Sequence, residues 1–175
     1  MPKQRKKASV YVTQAAVIAA LYAALTYLAS VFGIAYGNVQ FRFSEALTVL
    51  AVFTPAAIPG LTIGCFIGNL GSPFGIMDII LGTLATFLAA YFTYVTRKVG
   101  GKLGYVIAPL LSTLFNAVII GVEIAVFLPE GLTWAGFALS AAQVGIGEIT
   151  VCTLLGIPLR MLIEKTPGLK KLFKI

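Results

Sequence analysis

Four carboxylates and two amides lie inside otherwise apolar sequence: Glu45, Asp78, Glu123 and Glu148, with Asn69 and Asn116. A group of opposite charge, Arg42, stands three residues before Glu45 in the stretch Val39-Gln40-Phe41-Arg42-Phe43-Ser44-Glu45-Ala46-Leu47, with aromatic rings on both sides of it. Carboxylates accept hydrogen bonds, and an amide both donates and accepts, so this set suits a ligand rich in N–H donors. One carboxylate can take two parallel N–H bonds from a guanine-like edge. An Asn can serve a ring carbonyl or ring nitrogen, and a second carboxylate can neutralise an amine. Phe41, Phe43, Tyr36 and Trp134 offer faces on which a flat ring can stack.

The same inventory excludes much chemistry. The chain contains no His, which removes His-metal sites, Ser-His-Asp triads and HExxH zincins. It has no G-x-x-x-x-G-K-[ST] phosphate loop. Cys65 and Cys152 each fall in an apolar run and read as small buried hydrophobes rather than a disulfide framework. No metal and no cofactor is implied, and hydrolysis or phosphoryl transfer is badly served.

The elements that position these groups follow from composition. Of 175 residues 59% are hydrophobic and only 11% charged, against about 25% charged in a soluble domain. Mean hydropathy is +0.97, and the charges cluster between long apolar runs, as in an all-α polytopic membrane protein. The net charge of +7 sits in short clusters flanking apolar runs, which fits the positive-inside rule better than a nucleic-acid footprint. The N-terminal Lys3, Arg5, Lys6 and Lys7 precede an apolar run too long for a signal-peptide core, so it reads as a retained first helix.

Parity sets the topology. If the N-terminus is inside, the loop 33–42 is outside, and Arg97, Lys98 and Lys102 are inside again. The stretch between Arg42 and Arg97 is more than twice the about 20 residues that one crossing takes, so three crossings are expected. Pro55, Pro59-Gly60 and Gly71-Ser72-Pro73 divide them. An even number of crossings then returns the chain to the basic tail of Arg160, Lys165, Lys170, Lys171 and Lys174. Six transmembrane helices are expected, at 11–32, 44–53, 58–70, 76–96, 105–128 and 134–163, in one integral membrane domain with both termini cytoplasmic. The second and third are shorter than a full span. Arg42 becomes the single external cation among the 13 basic residues.

On this topology the polar groups collect in the outer half, as in a pocket loaded from outside. Ser112, Asn116 and Glu123 share one helical face. Each group has a second reading. Ser44 and Glu45 can cap and stabilise a helix start, and Asp78 can do the same. Asn69 can satisfy loop carbonyls, and Glu148 can join a helix–helix hydrogen bond. Arg42 can clamp the loop by pairing with Glu45, and Trp134 can anchor at the membrane interface. In the first helix, Ala16, Ala20 and Ala24, with the neighbouring row Ala15, Ala19 and Ala23, form a small-residue stripe suited to close helix approach. It packs internally or docks a separate subunit.

The run from Phe41 through Thr54-Pro55-Ala56-Ala57-Ile58-Pro59-Gly60-Leu61 to Gly64-Cys65-Phe66-Ile67-Gly68-Asn69-Leu70 resembles the QueT family. Those proteins are substrate-binding (S) subunits of energy-coupling factor (ECF) transporters, presumed to take queuosine precursors. The resemblance continues through Asp78 and the segment 116–123. It implies an S-component-like bundle in the cell membrane of a prokaryote, partnered by a transmembrane coupling subunit and two ATPase subunits that hydrolyse the ATP. It implies docking through Ala16, Ala20 and Ala24, and a 7-deazaguanine ligand such as preQ0 or preQ1, or queuine. On this view Glu148, Asn116 and Glu123 meet the base edge, Asp78 or Glu45 an exocyclic amine, and Arg42 with Phe41 and its neighbours forms a lid. Three alternatives stay open: an S component for another vitamin-like molecule, a stand-alone carrier or channel, and a small intramembrane enzyme, which the missing nucleophile–base pair disfavours.

Overall fold

The computed structural model describes residues 2–37 and 39–173; Asn38 of the expected loop and Lys174 of the basic tail lie outside them. Every regular element described is helical. Helix α1 (Pro2–Val31) is followed by a 3-10 helix (Phe43–Val52), α2 (Ala57–Asn69) and α3 (Ile76–Val95) with a short 3-10 turn at its end. Then come α4 (Gly101–Val126), α5 (Trp134–Val151), a π-helical turn (Cys152–Gly156), α6 (Ile157–Lys165) and α7 (Pro167–Leu172).

Four of these helices are long and apolar enough to cross a membrane: Lys7–Val31, Ile76–Lys98, Gly101–Val126 and Trp134–Lys165. The two short elements, Phe43–Val52 and Ala57–Asn69, are the second and third segments expected from the sequence. The expected α-helix at 44–53 is instead 3-10 throughout its length. At about 2.0 Å rise per residue this tighter coil carries ten residues about 20 Å, further than an α-helix would. Eight of those ten residues, Ser44 to Ala51, are buried. Neighbouring helices therefore supply the packing that the weaker internal geometry does not.

The last long helix is interrupted by the π turn at Cys152–Gly156, which ends two residues before Pro158. Proline removes one backbone donor and crowds the preceding turn, and the wider turn accommodates it. Helix α7 was not anticipated among the basic residues of the tail. It folds back on the start of the chain, with the Gln14 amide donating to the Leu172 carbonyl and Phe173 6.0 Å from Phe53.

Close helix approach is set by glycines. Gly60, Gly64 and Gly68 of α2 repeat every four residues against Ala15, Ala19 and Thr26 of α1. A Cβ on Gly64 would fall 2.6 Å from the Tyr22 Cβ and 2.8 Å from the Ala19 carbonyl oxygen. The small-residue stripe of α1 therefore divides. Ala19 and Ala23 are buried, whereas Ala16, Ala20 and Ala24 face outward.

The two ends of the bundle differ in charge. Arg97 and Arg160 line one groove with Val52, Val99 and Gly104, and the α7 contacts lie at the same end of the 3-10 helix. Arg42, Asp78 and the end of α2 lie at the other end.

Candidate ligand-binding site

The connection from α1 to the 3-10 helix turns at Gly33, whose φ of +71° favours glycine. It is pinned at several points. The Phe41 amide donates to the Ile34 carbonyl at 2.8 Å. The Tyr36 hydroxyl donates to the Gly68 carbonyl at 2.6 Å, and burial pushes this phenol up to about 12, which keeps its proton in place. Gly147 of α5 lies directly against the Gln40 backbone, with no room for a side chain.

Arg42 is buried and does not pair with Glu45. Its Nη2 donates to both oxygens of Asp78, at 3.0 and 3.2 Å, and its Nε to the Ala35 carbonyl at 3.1 Å. The Tyr36 ring covers it at 5.1 Å. The physical reason is direction: the chain is extended at Arg42 and then coils, so Glu45 points into the bundle while Arg42 points across to α3. Asp78 is thereby neutralised, and Asn69 holds its backbone through Nδ2 at 2.8 Å. Gly82 makes room: a Cβ there would lie 2.9 Å from Asp78 Oδ1.

A second group of polar side chains lies deeper, midway along the long helices. Glu45, fully buried, accepts from the Tyr22 hydroxyl and from Thr86 Oγ1 at 3.4 Å. Ser112 Oγ lies 2.6 Å from Glu148 Oε1 and 3.4 Å from Glu45 Oε2, so one hydroxyl stands between two carboxyls. Asn116 Nδ2 donates to Glu148 Oε1 at 3.2 Å and to the Ser112 carbonyl at 3.1 Å. Cys152 approaches the same oxygen at 3.7 Å.

Several polar atoms are buried and, among the described residues, without a hydrogen-bond partner. They include both oxygens of Glu123, the Asn69 side-chain oxygen and the Gln40 amide nitrogen, beside the hydroxyls of Thr83, Thr93 and Thr113. Glu123 is only 1% exposed and lies within electrostatic reach of Asp78 and Arg42. Buried polar groups are nearly always paired, so these atoms stand out in the bundle.

The structure thus brings Arg42, Asp78 and Asn69 into one cluster and Glu45, Asn116 and Glu148 into another, with Glu123 above the second on α4. Phe41 is half-buried beside Arg42. Trp134 is elsewhere: it is 87% exposed and meets Phe137 edge-on at 6.3 Å. Phe74 packs on Ile120, Ile124 and Val144. Tyr22, Thr86 and Gln40 were not singled out from the sequence as site residues. Tyr22 is a phenol within an Ala-rich helix, and that contrast was the one available signal.

Long apolar helices packed around buried polar clusters are in keeping with a small membrane transport protein. Residues 12–165 match the QueT transporter family, and the chain belongs to it. A curated relative, the "Queuosine precursor transporter QueT" of Lactococcus lactis subsp. cremoris (strain MG1363), is 42% identical over 84 residues. That match spans 47% of this chain and 49% of the relative, about half the length of each. No solved structure matches the chain.

Proposed function

We propose that this chain is the substrate-binding subunit of an ECF-type, ATP-driven importer, and that its ligand is a queuosine precursor, a 7-deazaguanine such as preQ0 or preQ1, or queuine. The observation that carries the reading is the unpaired set of Glu123, Asn69 and Gln40, buried in a chain of the QueT family. A deazaguanine edge presents adjacent N–H donors to a carboxylate and a ring carbonyl to an amide donor, which are the groups left without partners. The name of the Lactococcus relative supports the same substrate class.

In the proposed topology all six segments lie in the cytoplasmic membrane of a prokaryote, with both termini inside and the Arg42 end outside. The basic end of the bundle fits the inner surface. The ligand enters from outside beneath the 33–42 connection and is released inside when the subunit topples in the membrane. The outward face of Ala16, Ala20 and Ala24 serves as the docking surface for the transmembrane coupling subunit, because small side chains let another helix approach closely. The ATPase subunits of that complex supply the energy.

Uptake into vesicles tests the reading. Vesicles holding this chain with the coupling and ATPase subunits take up labelled preQ1 when ATP is present, and vesicles holding this chain alone do not. Equal uptake by the chain alone would make it an autonomous carrier.

A further inference from the structure

We propose that the groove at the basic end of the bundle binds the phosphate of an anionic phospholipid between the guanidiniums of Arg97 and Arg160. The inference is independent of which substrate the chain carries.

Arg97 lies in the 3-10 turn that ends α3, and Arg160 lies on α6. Both line the groove, together with Thr93 and Gly104. Two cations facing one groove repel each other unless an anion offsets them. The one acid beside them, Glu164, has both oxygens taken. Its Oε1 accepts from Arg160 Nε at 2.9 Å, and its Oε2 accepts from the Tyr105 hydroxyl. Arg97 therefore meets no carboxylate among the described residues.

Donors are left over as well. The Arg97 guanidinium lies over the Tyr94 ring at 3.7 Å and donates through Nη1 to the Tyr94 carbonyl at 2.7 Å. Its Nε and Nη2 have no partner among the described residues. Arg160 is buried and donates through Nη1 to the Gly104 carbonyl, which leaves Nη2 free among the described residues. Gly104 keeps space beside that nitrogen, since a Cβ there would stand 3.5 Å from it. A second observation falls in the same groove. Thr93 is 1% exposed, and its hydroxyl has no hydrogen-bond partner among the described residues. Phosphate oxygens accept from both a guanidinium fork and a hydroxyl.

The position of the groove makes a lipid the source of the phosphate. It lies where the apolar helices Ile76–Lys98 and Trp134–Lys165 end and Gly101–Val126 begins, which is headgroup level for helices that span a bilayer. Val95, Leu103, Met161 and Leu162 adjoin the groove residues in sequence and are exposed. Acyl chains cover such surface, and a soluble phosphate leaves it bare. Lys98, Lys102 and Lys165 flank the arginines, so an anionic headgroup is favoured over one that carries its own cation. The groove is narrow. The phosphate rests across its mouth on the half-buried Arg97, with one oxygen directed inward to Arg160 and Thr93.

The test follows the unfolding midpoint of the purified full-length chain in a neutral detergent as lipid is added. Dioleoyl phosphatidylglycerol raises the midpoint saturably; dioleoyl phosphatidylcholine and inorganic phosphate at the same concentrations do not. Arg97→Gln needs at least about tenfold more phosphatidylglycerol for the same rise, the loss expected of a hydrogen bond to a charged group. Lys98→Gln, at the exposed neighbouring cation, responds as the unaltered chain does. Should Arg97→Gln not fold, mass spectrometry of the unaltered chain released from mixed micelles decides: phosphatidylglycerol is retained in preference to phosphatidylcholine, and no preference would overturn the proposal. Equal effects of the two lipids would overturn it for want of headgroup selectivity. Equal losses in the two variants would reduce the site to diffuse surface charge, and equal stabilisation by inorganic phosphate would make the occupant a soluble anion; either result would overturn it too.

Discussion

Arg42 reaches across 36 positions of sequence to place its guanidinium on both carboxylate oxygens of Asp78, and both side chains are buried. The pair joins the connection after α1 to the first turn of α3. Removing one member strands the other in a low-dielectric setting, which costs about 3–5 kcal/mol. Arg42→Ala is expected to lower the unfolding midpoint in detergent markedly. The double variant with Asp78→Asn recovers part of the loss, because neither charge is then unpaired. A double variant as unstable as the sum of the singles would show that the two do not act as a pair.

Gly147 is the seat on which Gln40 rests. Any Cβ there must push the Gln40 backbone away, so Gly147→Ala is expected to loosen the 33–42 connection. Limited proteolysis should cut that segment faster, and ligand should dissociate faster, with the helices intact by circular dichroism. Unchanged cleavage and dissociation would remove this contact from the lid account.

Glu123 is buried on α4 with both oxygens unpaired among the described residues. Glu123→Gln is expected to weaken deazaguanine binding by about 1–3 kcal/mol, equally for the aminomethyl and cyano forms, because the contact is to the ring. Stability should hold or rise, since a buried charge is removed. Affinity unchanged by the substitution would make Glu123 a structural group.

The two rows of α1 separate docking from folding. Ala16→Trp and Ala20→Trp, on the outward row, should block assembly with the coupling subunit, read by co-purification, while ligand binding survives. Gly64→Ala, on the opposing α2 surface, should instead destabilise the bundle by about 1–3 kcal/mol through overpacking. If the Trp variants lose ligand and still assemble, the docking face is elsewhere.

Features governed by helical period and by chain breakers were legible in the sequence. Ser112, Asn116 and Glu123 fall on one face because α4 is regular there, and Pro55 and Gly71-Ser72-Pro73 fall at the ends of short elements as expected. Features decided by tertiary contact were not. Glu45 is the near neighbour of Arg42 in sequence, yet the extended backbone at Arg42 turns the guanidinium toward Asp78. The run 44–51 is compatible with either helix type from its sequence, and it is 3-10 and buried in the bundle. The four-residue repeat of Gly60, Gly64 and Gly68 was present in the sequence, but glycine beside Pro59 reads as a breaker until α1 is seen against it. Trp134 reads equally as ring cover or as interface anchor, and only its exposure places it at the surface.

Direct binding identifies the ligand. Purified chain should be thermally stabilised by deazaguanines and not by riboflavin, thiamine or biotin at the same concentration. A stabilisation of about 2.7 kcal/mol is expected when a ligand stands at one hundred times its Kd. Stabilisation by one of the three vitamins, with none by preQ0, preQ1 or queuine, would contradict the account.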